Sequence, residues 1–315
     1  MENTLENKFE HTPVMLDECI DSLNIRPQGT YVDGTLGGGG HSSEIAKRLT
    51  TGRLIAIDKD QNALNHSTLK LSPYQNRVTF VKSDFKDMTQ VLDNLGIDQV
   101  DGILLDLGVS SHQIDTAERG FSYRFDGKLD MRMDRDARLT AYDVVNHYDA
   151  RKLERVLFVY GEESFAKTIV RNIVKQREIK PIETTLELVK IVEGSIPKKF
   201  WGKGSVAKKT FQAIRIEVNH ELEDLDVAIN GMISRLSTGG RIAIITFHSL
   251  EDRIVKQVFK EHTIGCICDK TVPICVCNHK ADAKLVNKKP IEASKKELDT
   301  NKRSSSAKLR VLEKI

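Results

Sequence analysis

The sequence lacks any long hydrophobic run. Its longest apolar stretches, such as residues 242–247, are far shorter than the roughly 20 residues that a membrane-spanning helix needs. The first residues also lack the basic start and apolar stretch of a secretory signal. We therefore expect a cytoplasmic protein with no membrane contact. The 315 residues, of which 39% are apolar and 30% charged, suffice for one large or two ordinary globular domains.

Cysteine is scarce and odd in number, which argues against a disulfide framework in a chain without a visible signal. The five cysteines are Cys19, Cys266, Cys268, Cys275 and Cys277. The last four form two Cys-x-Cys pairs that could encircle a structural zinc ion, although Cys-x₂-Cys is the commoner zinc spacing. We predict no metal site, and we leave zinc binding open against a surface loop of free thiols.

Charge is nearly balanced overall, with a net value of +3, but it is unevenly distributed. Residues 197–209 contain five lysines and no acid, and residues 280–315 contain eleven Lys or Arg against five Asp or Glu. The rest of the chain is therefore net acidic. These two stretches are candidates for an anion-binding face, with solvated lysine-rich loops as the alternative.

Strand-like and helix-like segments alternate in the first part of the chain. Short β-branched or apolar runs that end at Gly or Asp predict strands at 30–36, 53–58, 78–84 and 100–108. Helical patterns lie between them at 42–49, 61–71 and 86–95. This alternation predicts a parallel sheet that is covered by helices on both faces.

The alternation stops after the fourth strand and resumes later. Apolar residues recur only at helical spacing from 139 to 196, which predicts three or four helices. A helix at 210–236, a strand at 241–247, a helix at 251–262 and strands at 284–288 and 308–313 then follow. We predict an α/β fold with a Rossmann-like sheet of about seven strands and an inserted all-α domain. The predicted domains are 1–113 and 210–315, which form the sheet, and the insertion at 114–209.

A run of glycines separates the first predicted strand from the first predicted helix. It reads Asp33-Gly-Thr-Leu-Gly-Gly-Gly-Gly-His41, and it lacks the Gly-Lys-Ser/Thr of a Walker loop, so ATP hydrolysis is not expected. Glycines at such a turn let backbone N–H groups approach a ligand, and the helix N-terminus adds a partial positive charge. The loop predicts a nucleotide-type ligand.

Polar residues at the ends of the predicted strands narrow the choice of ligand. Asp58 is placed to accept hydrogen bonds from ribose hydroxyls, Asp84-Phe85 suits an adenine, and Asp106 ends the fourth strand at the same edge. Asp33 precedes the glycines, where it can face the ammonium group of a methionine but would repel a pyrophosphate. We therefore expect S-adenosyl-L-methionine as the cofactor, with NAD as the alternative.

Eight segments, spread along nearly the whole chain, match one known family of enzymes. The matching segments are His11-Thr-Pro-Val-Met-Leu-Asp-Glu, the glycine loop, Leu104-Leu-Asp-Leu-Gly-Val-Ser-Ser, Glu118-Arg-Gly-Phe-Ser, Leu129-Asp-Met-Arg-Met-Asp, Tyr160-Gly-Glu-Glu, Phe211-Gln-Ala-Ile-Arg-Ile-Glu-Val-Asn and Thr246-Phe-His-Ser-Leu-Glu-Asp-Arg. On these segments the chain resembles the bacterial 16S ribosomal RNA (cytosine-N4)-methyltransferases, and several of them are specific to that family rather than general to methyltransferases.

The resemblance implies a methyltransferase domain with an inserted helical domain, acting on a cytidine in the decoding centre, the P site, of 16S rRNA. The implied partner is 16S rRNA within the small ribosomal subunit, and the oligomeric state stays undetermined. The implied contacts to S-adenosyl-L-methionine are made by Gly39, Gly40, His41, Asp58, Phe85, Asp106 and Gln113. His41 and Gln113 follow from the resemblance alone.

Methyl transfer to an exocyclic amine requires mainly that nitrogen, methyl carbon and sulfur be held in line. Asp106, Ser110 and Ser111 lie at a strand end where they could accept a hydrogen bond from that amine, and the catalytic residue stays open. Methylation of a ring carbon would need a cysteine nucleophile, and no cysteine is near the predicted strand ends.

Two segments are candidates for contact with RNA, because a target base must leave its stack to be methylated. Residues 118–134 could stack on bases or bind phosphates, unless they form an ordered loop with core aromatics; the side chains concerned are Arg119, Phe121, Tyr123 and Arg132. Residues 197–209, with Phe200 and Trp201 among lysines, are the better candidate for the RNA backbone. His248 either contacts the substrate or caps the next helix.

Three other functions remain compatible with parts of the sequence. They are a methyltransferase of DNA or of a small molecule, a non-catalytic RNA-binding assembly factor that keeps the cofactor fold, and an NAD dehydrogenase. The basic stretches and the large helical insertion count against a small substrate. The intact cofactor residues count against a non-catalytic role.

Overall fold

The computed structural model describes residues 13–202, 204–266, 268, 273–277 and 280–315. The chain forms two compact units, which we call the sheet unit, Met1–Gly108 with Asp224–Ile315, and the helical unit, Val109–Glu223. Over these described ranges, no helix is both long enough and apolar enough to cross a membrane.

The sheet unit is built on an eight-stranded sheet in the order β3-β2-β1-β4-β5-β8-β6, with β7 paired to β8. Strands β1 to β5 are parallel, and β8 runs antiparallel to β5. The strands are β1 Thr30–Asp33, β2 Arg53–Asp58, β3 Val78–Lys82, β4 Val100–Asp106, β5 Leu236–Thr246, β6 Ala283–Leu285, β7 Ile291–Glu292 and β8 Lys308–Lys314. The helices of this unit are α1 Leu16–Leu23, α2 Gly40–Arg48, α3 Gln61–Lys70, α4 Met88–Asn94, α11 Leu225–Ser234, α12 Ser249–Thr263 and α13 Lys295–Thr300.

The central strands are buried on both faces. Four consecutive residues of β2, from Leu54 to Ile57, are buried, as are Gly102–Leu105 in β4 and Ile242–Thr246 in β5. Continuous apolar burial is typical of a parallel sheet that helices cover on both sides. The predicted α/β fold is therefore confirmed, and the carboxyl ends of β1, β2 and β4 lie at one edge of the sheet.

The helical unit has its own hydrophobic core. Leu153 and Leu157 of one helix, Ile169 and Ile173 of the next, and Ile214 further along are fully buried in one cluster. The helices are α5 Ser111–Asp115, α6 Ala141–His147, α7 Ala150–Gly161, α8 Ala166–Ile179, α9 Thr185–Ser195 and α10 Lys208–Asn219. The prediction of three or four helices between 139 and 196 is confirmed by α6 to α9.

The structure differs from the sequence prediction in the bounds of the helical unit, in one helix and in the number of strands. The helical unit begins at Val109 rather than 114 and ends at Glu223 rather than 209, because the apolar face of α10 packs on α7 inside that unit. The helix predicted at 210–236 is two helices, separated where His220 and Asp224 adopt positive φ angles of 51° and 53°. The described residues form a sheet of eight strands rather than about seven.

Candidate functional site

The glycine loop joins β1 to α2 at the carboxyl edge of the sheet. Asp33 is buried, and its Oδ1 accepts a hydrogen bond from the Thr35 amide at 3.1 Å. Its Oδ2 accepts one from the Ser42 hydroxyl, on the first turn of α2, at 2.7 Å. Asp33 therefore connects the two ends of the loop. We expected this carboxylate to face a ligand ammonium group; in the structure each of its oxygens accepts one hydrogen bond from within the loop.

The glycines have distinct structural roles. Gly39 has a φ of 69° and caps the N-terminus of α2, a conformation that other residues rarely adopt. A Cβ atom on Gly40 would lie 2.1 Å from Cγ of Pro13, so no side chain fits there. A Cβ on Gly38 would meet no atom within 4 Å. The backbone around Gly38 is therefore open to a ligand, next to the N–H groups that begin α2.

Asp58 ends β2 and holds the loop from the neighbouring strand. Its Oδ2 accepts from the Gly37 amide and its Oδ1 from the Asp60 amide, each at 2.8 Å. Burial raises the pKa of Asp58 from 3.8 to about 6. Each carboxylate oxygen has a second lone pair, so the side chain can still accept hydrogen bonds from a ligand diol.

Phe85 follows β3 and is partly exposed beside the loop. A Cβ atom on Gly34 would lie 3.1 Å from Cβ of Phe85, so the aromatic residue and the loop backbone are in close contact. Asp84 caps the turn, where it accepts from the Lys86 amide at 3.1 Å and pairs with the Lys59 ammonium at 3.1 Å. Phe85 is thus placed to offer a ring face to a ligand, while Asp84 mainly holds the turn.

Asp106 ends β4 and has the most perturbed carboxyl group of the site. Its backbone amide donates to the Thr35 hydroxyl at 2.6 Å, which joins this strand end to the glycine loop. The side chain is 24% exposed, but its Oδ1 is buried and has no hydrogen-bond partner in the described part of the chain. Burial, with the nearby charges of Asp33 and Glu251, raises the pKa of Asp106 from 3.8 to about 8.

His41 lies on the first turn of α2 and is buried. Its Nε2 is 3.0 Å from the Val14 carbonyl, and its Nδ1 is 3.9 Å from Oδ2 of Asp106. Burial lowers the pKa of His41 to about 4, so the ring is neutral at pH 7. A neutral His41 supplies no positive charge that would lower the pKa of Asp106.

Glu251 is a member of this site that sequence reasoning missed. It is 1% exposed, lies on the first turn of α12, and accepts from the Phe247 amide at 2.9 Å. The Glu251 amide donates to Nδ1 of His248 at 3.4 Å, so His248 is the N-cap of α12. Of the two roles considered for His248, the structure supports capping. The sequence signal that could have revealed this capping box was a His at the N-cap followed by Glu at the third position of the helix.

Gln113 and Ser110 have a local role in the helical unit. They form the capping box of α5, in which Oε1 of Gln113 accepts from the Ser110 amide at 3.0 Å and Oγ of Ser110 accepts from the Gln113 amide at 3.3 Å. Ser111 is buried in the first turn of the same helix. The cofactor role that the resemblance assigns to Gln113 stays a prediction.

The carboxyl groups at this edge of the sheet unit fit a cationic, hydroxyl-bearing ligand such as S-adenosyl-L-methionine. The buried Oδ1 of Asp106 is an acceptor without a partner, and burying such an atom is costly unless a ligand satisfies it. The acids around it lower the free energy of a bound positive charge. Gly38 leaves open space beside the loop, and Asp58 retains acceptor capacity for a ribose.

The four side chains of segment 118–134 that were candidates for RNA contact are used inside the helical unit. Arg119 is buried and donates to the carbonyls of Arg132 and Met133. Arg132 pairs with Asp130 at 2.7 Å. Phe121 is buried in the core, and Tyr123 packs edge-on against Phe211, with ring centroids 5.9 Å apart. These side chains shape the loop rather than present free aromatic or cationic groups.

The basic segment 197–209 is a surface feature. Phe200 and Trp201 are 56% and 40% exposed, although both are large and aromatic. The Lys199 ammonium lies 5.1 Å from the Phe200 ring centroid, and Lys198 is also exposed. Lys203 lies outside the described residues. Exposed aromatic rings among lysines provide stacking surfaces within a positive field, as single-stranded nucleic acid binding requires.

Comparison with known proteins gives a match over nearly the whole chain. The model of the MraW methylase family matches residues 8–315. The chain is 53% identical over 310 residues to the "Ribosomal RNA small subunit methyltransferase H" of Finegoldia magna, covering 98% of this chain and 99% of that protein. It is 54% identical over 309 residues to the protein of the same name from Clostridium botulinum strain Kyoto, covering 98% and 100%.

Proposed function

The chain belongs to the MraW methylase family and is an S-adenosyl-L-methionine-dependent methyltransferase, and we propose that it methylates the RNA of the small ribosomal subunit. The name shared by relatives of 53% and 54% identity supports this substrate, because the similarity extends over nearly the full length of both chains. A cytoplasmic location would follow from that substrate.

We further propose that the methyl group goes to N4 of a cytidine in the decoding centre of 16S rRNA. The motif resemblance supports this position, and the chemistry of the cysteines argues against ring-carbon methylation. Burial raises the pKa of the Cys19 thiol well above its ordinary value, so Cys19 is not a reactive thiolate. The four other cysteines lie in the connection between α12 and β6, not at a strand end.

The observation that carries the proposed chemistry is the acidic edge around Asp106. S-adenosyl-L-methionine supplies an electrophilic methyl group on a positively charged sulfur when it is bound. Asp106 is largely protonated at pH 7 without a ligand, since its pKa is about 8. A cation at this edge favours the carboxylate, so Asp106 would release its proton on binding and offer Oδ1 to the cation. Asp58 would hold the ribose, and Phe85 would cover the adenine.

The test of the proposed function is to delete the gene and map the methyl groups of 16S rRNA by mass spectrometry. We expect one cytidine of the decoding centre to lose a mass of one methyl group, with the loss located on the exocyclic nitrogen by fragmentation. A plasmid copy should restore it, whereas a copy carrying Asp106→Ala should not. An unchanged decoding centre in the deletion strain would refute the proposed substrate.

The basic segment 197–209 leads to a prediction about RNA affinity. Replacing Lys198 and Lys199 together by alanine is expected to weaken binding of 16S rRNA several-fold and to make the salt slope of log K shallower by about 1–2 units, because two phosphate contacts are lost. Phe200→Ala should weaken binding with little change in salt slope, since stacking is not ionic.

The measurement is RNA binding by fluorescence anisotropy across a salt series. The matched control is the pair Lys175→Ala and Lys190→Ala, which removes two exposed lysines of α8 and α9 in the same unit. If both double variants change the affinity and the slope equally, the effect belongs to net charge and the segment is not the RNA contact.

A further inference from the structure

Four cysteines lie close together in the connection between α12 and β6. We call them the thiol cluster: Cys266, Cys268, Cys275 and Cys277. None of the described residues between Thr263 and Ala283 belongs to a helix or strand. A long connection whose described residues form no helix or strand normally has a function or an added constraint that orders it.

The distances within the thiol cluster match those of a metal site. The Sγ atom of Cys275 is 3.5 Å from that of Cys266, 4.0 Å from that of Cys268 and 3.5 Å from that of Cys277. The Sγ atoms of Cys266 and Cys277 are 3.8 Å apart, and all four lie within 4.8 Å of one another. A tetrahedron with zinc–sulfur bonds of about 2.3 Å has edges of about 3.8 Å. A disulfide would need about 2.05 Å.

The ligand chemistry favours zinc. Tetrahedral sites of four thiolates are typical of structural zinc, and such closed sites leave no open position for catalysis. The Val276 amide donates to Sγ of Cys268 at 3.4 Å, and a donor of this kind stabilises a thiolate that binds a metal. Four thiolates this close would repel one another without a cation between them.

We propose that the thiol cluster binds one zinc ion as a structural site. This replaces the expectation of no metal that the uncommon Cys-x-Cys spacing suggested. Binding exchanges protons for metal: one Zn²⁺ and four thiols give a tetrathiolate complex with charge −2 and four released protons. No electron transfer is involved.

The surroundings of the thiol cluster show what the zinc would stabilise. Ile274 and Val276 flank Cys275 and are 75% and 74% exposed, so these apolar side chains contribute little to a core. The base of the connection is closed by His262, whose Nδ1 is 2.7 Å from Asp282 and whose Nε2 is 2.8 Å from Asn230. Zinc would therefore order the outer part of the connection, while the sheet keeps its own core.

The experiment measures metal and thiols in the full chain purified with reducing agent and without chelator. We expect about one zinc per chain by plasma mass spectrometry. The four thiols should be protected from alkylation until a chelator or an organomercurial releases the metal. Cobalt substituted for zinc should give the intense sulfur-to-cobalt absorption and visible bands of a tetrahedral thiolate site. Cys275→Ser should lose the metal and the protection.

The control is Cys19→Ala, which removes the buried cysteine outside the thiol cluster and should retain one zinc per chain. The alkylation test uses the wild-type protein, so its result holds even if a cysteine variant fails to fold. Four freely reactive thiols after loading with excess zinc would overturn the proposal. So would disulfides within the thiol cluster under reducing conditions, or iron in place of zinc.

Discussion

Replacing Asp106 by asparagine is expected to reduce kcat/KM for methyl transfer by about 100-fold or more and to stabilise the protein at pH 8. The variant keeps the shape of the side chain but removes the charge that would meet the cationic cofactor. Loss of one buried, charge-assisted hydrogen bond of about 3 kcal/mol corresponds to roughly 100-fold. Transfer of a labelled methyl group to 16S rRNA from the deletion strain measures the rate.

The stabilising effect follows from the pKa of Asp106. In the folded state it is about 8, against 3.8 for an ordinary aspartate. Between these values the unfolded chain has released a proton that the folded chain still holds, so the free energy of unfolding falls as the pH rises from about 4 to about 8. Asparagine does not titrate, so the variant's advantage should increase over this range, by several kcal/mol between pH 4 and pH 8.

Thermal unfolding of both proteins at pH 5 and pH 8 tests this part. Asp87→Asn is the control, since it makes the same chemical change on an exposed residue of the sheet unit. A stability difference that is the same at both pH values would show that the pKa of Asp106 is not raised. Normal turnover by the Asp106→Asn variant would remove this residue from the site.

The charge that Asp106 meets can be identified by comparing two ligands. S-adenosyl-L-methionine has both a sulfonium and an ammonium group, whereas S-adenosylhomocysteine has only the ammonium. If Asp106 faces the sulfonium, Asp106→Asn should strongly weaken binding of S-adenosyl-L-methionine but not of S-adenosylhomocysteine. If it faces the ammonium, both should weaken equally. Calorimetry at pH 7 in two buffers of different ionisation enthalpy should also show proton release for the wild type but not for the variant.

Much of the sheet unit could be predicted because three of its parallel strands, β1, β2 and β4, are short apolar runs that end in Asp. The predicted strand 53–58 coincides with β2, and the predicted helix 61–71 with α3 within one residue. The break between α10 and α11 could not be predicted. It depends on the positive φ angles of His220 and Asp224, and neither glycine nor proline marks that turn.

The local roles of the site residues could not be predicted from the sequence. Asp33 and Asp106 both end buried strands, and the sequence analysis assigned the ligand ammonium group to Asp33 because it precedes the glycines. The structure distinguishes them by tertiary contacts: the Thr35 amide and Ser42 satisfy Asp33, while Oδ1 of Asp106 is left without a partner among the described residues. Glu251 joins them from a distant segment of the chain, and its effect on the pKa of Asp106 depends on folding.

Replacing Asp58 by alanine is expected to weaken binding of S-adenosyl-L-methionine by about 100-fold, while 16S rRNA affinity stays within about two-fold. The variant would lose two charge-assisted hydrogen bonds to ribose hydroxyls, worth roughly 1.5–3 kcal/mol each, and hydrogen bonds to water would recover part of this energy. The variant also removes the hydrogen bond that the Gly37 amide donates to Oδ2 of Asp58 at 2.8 Å. Isothermal calorimetry measures the cofactor, and anisotropy measures the RNA.

Asp58 could contact the ribose directly or only support the loop. A thermodynamic cycle distinguishes these roles: the wild type and Asp58→Ala are each measured with S-adenosyl-L-methionine and with an analogue that lacks both ribose hydroxyls. If Asp58 binds these hydroxyls, the wild type should lose affinity for the dideoxy ligand, and Asp58→Ala should bind both ligands equally weakly. If Asp58 only supports the loop, the two losses should add.

Asp60→Ala is the local control: it removes the N-cap of α3, and it should lower stability by about 1 kcal/mol without a comparable loss of cofactor affinity. Equal cofactor affinity of the wild type and Asp58→Ala would show that the cofactor binds without this carboxylate, and the acidic edge at Asp106 would then have to supply the affinity.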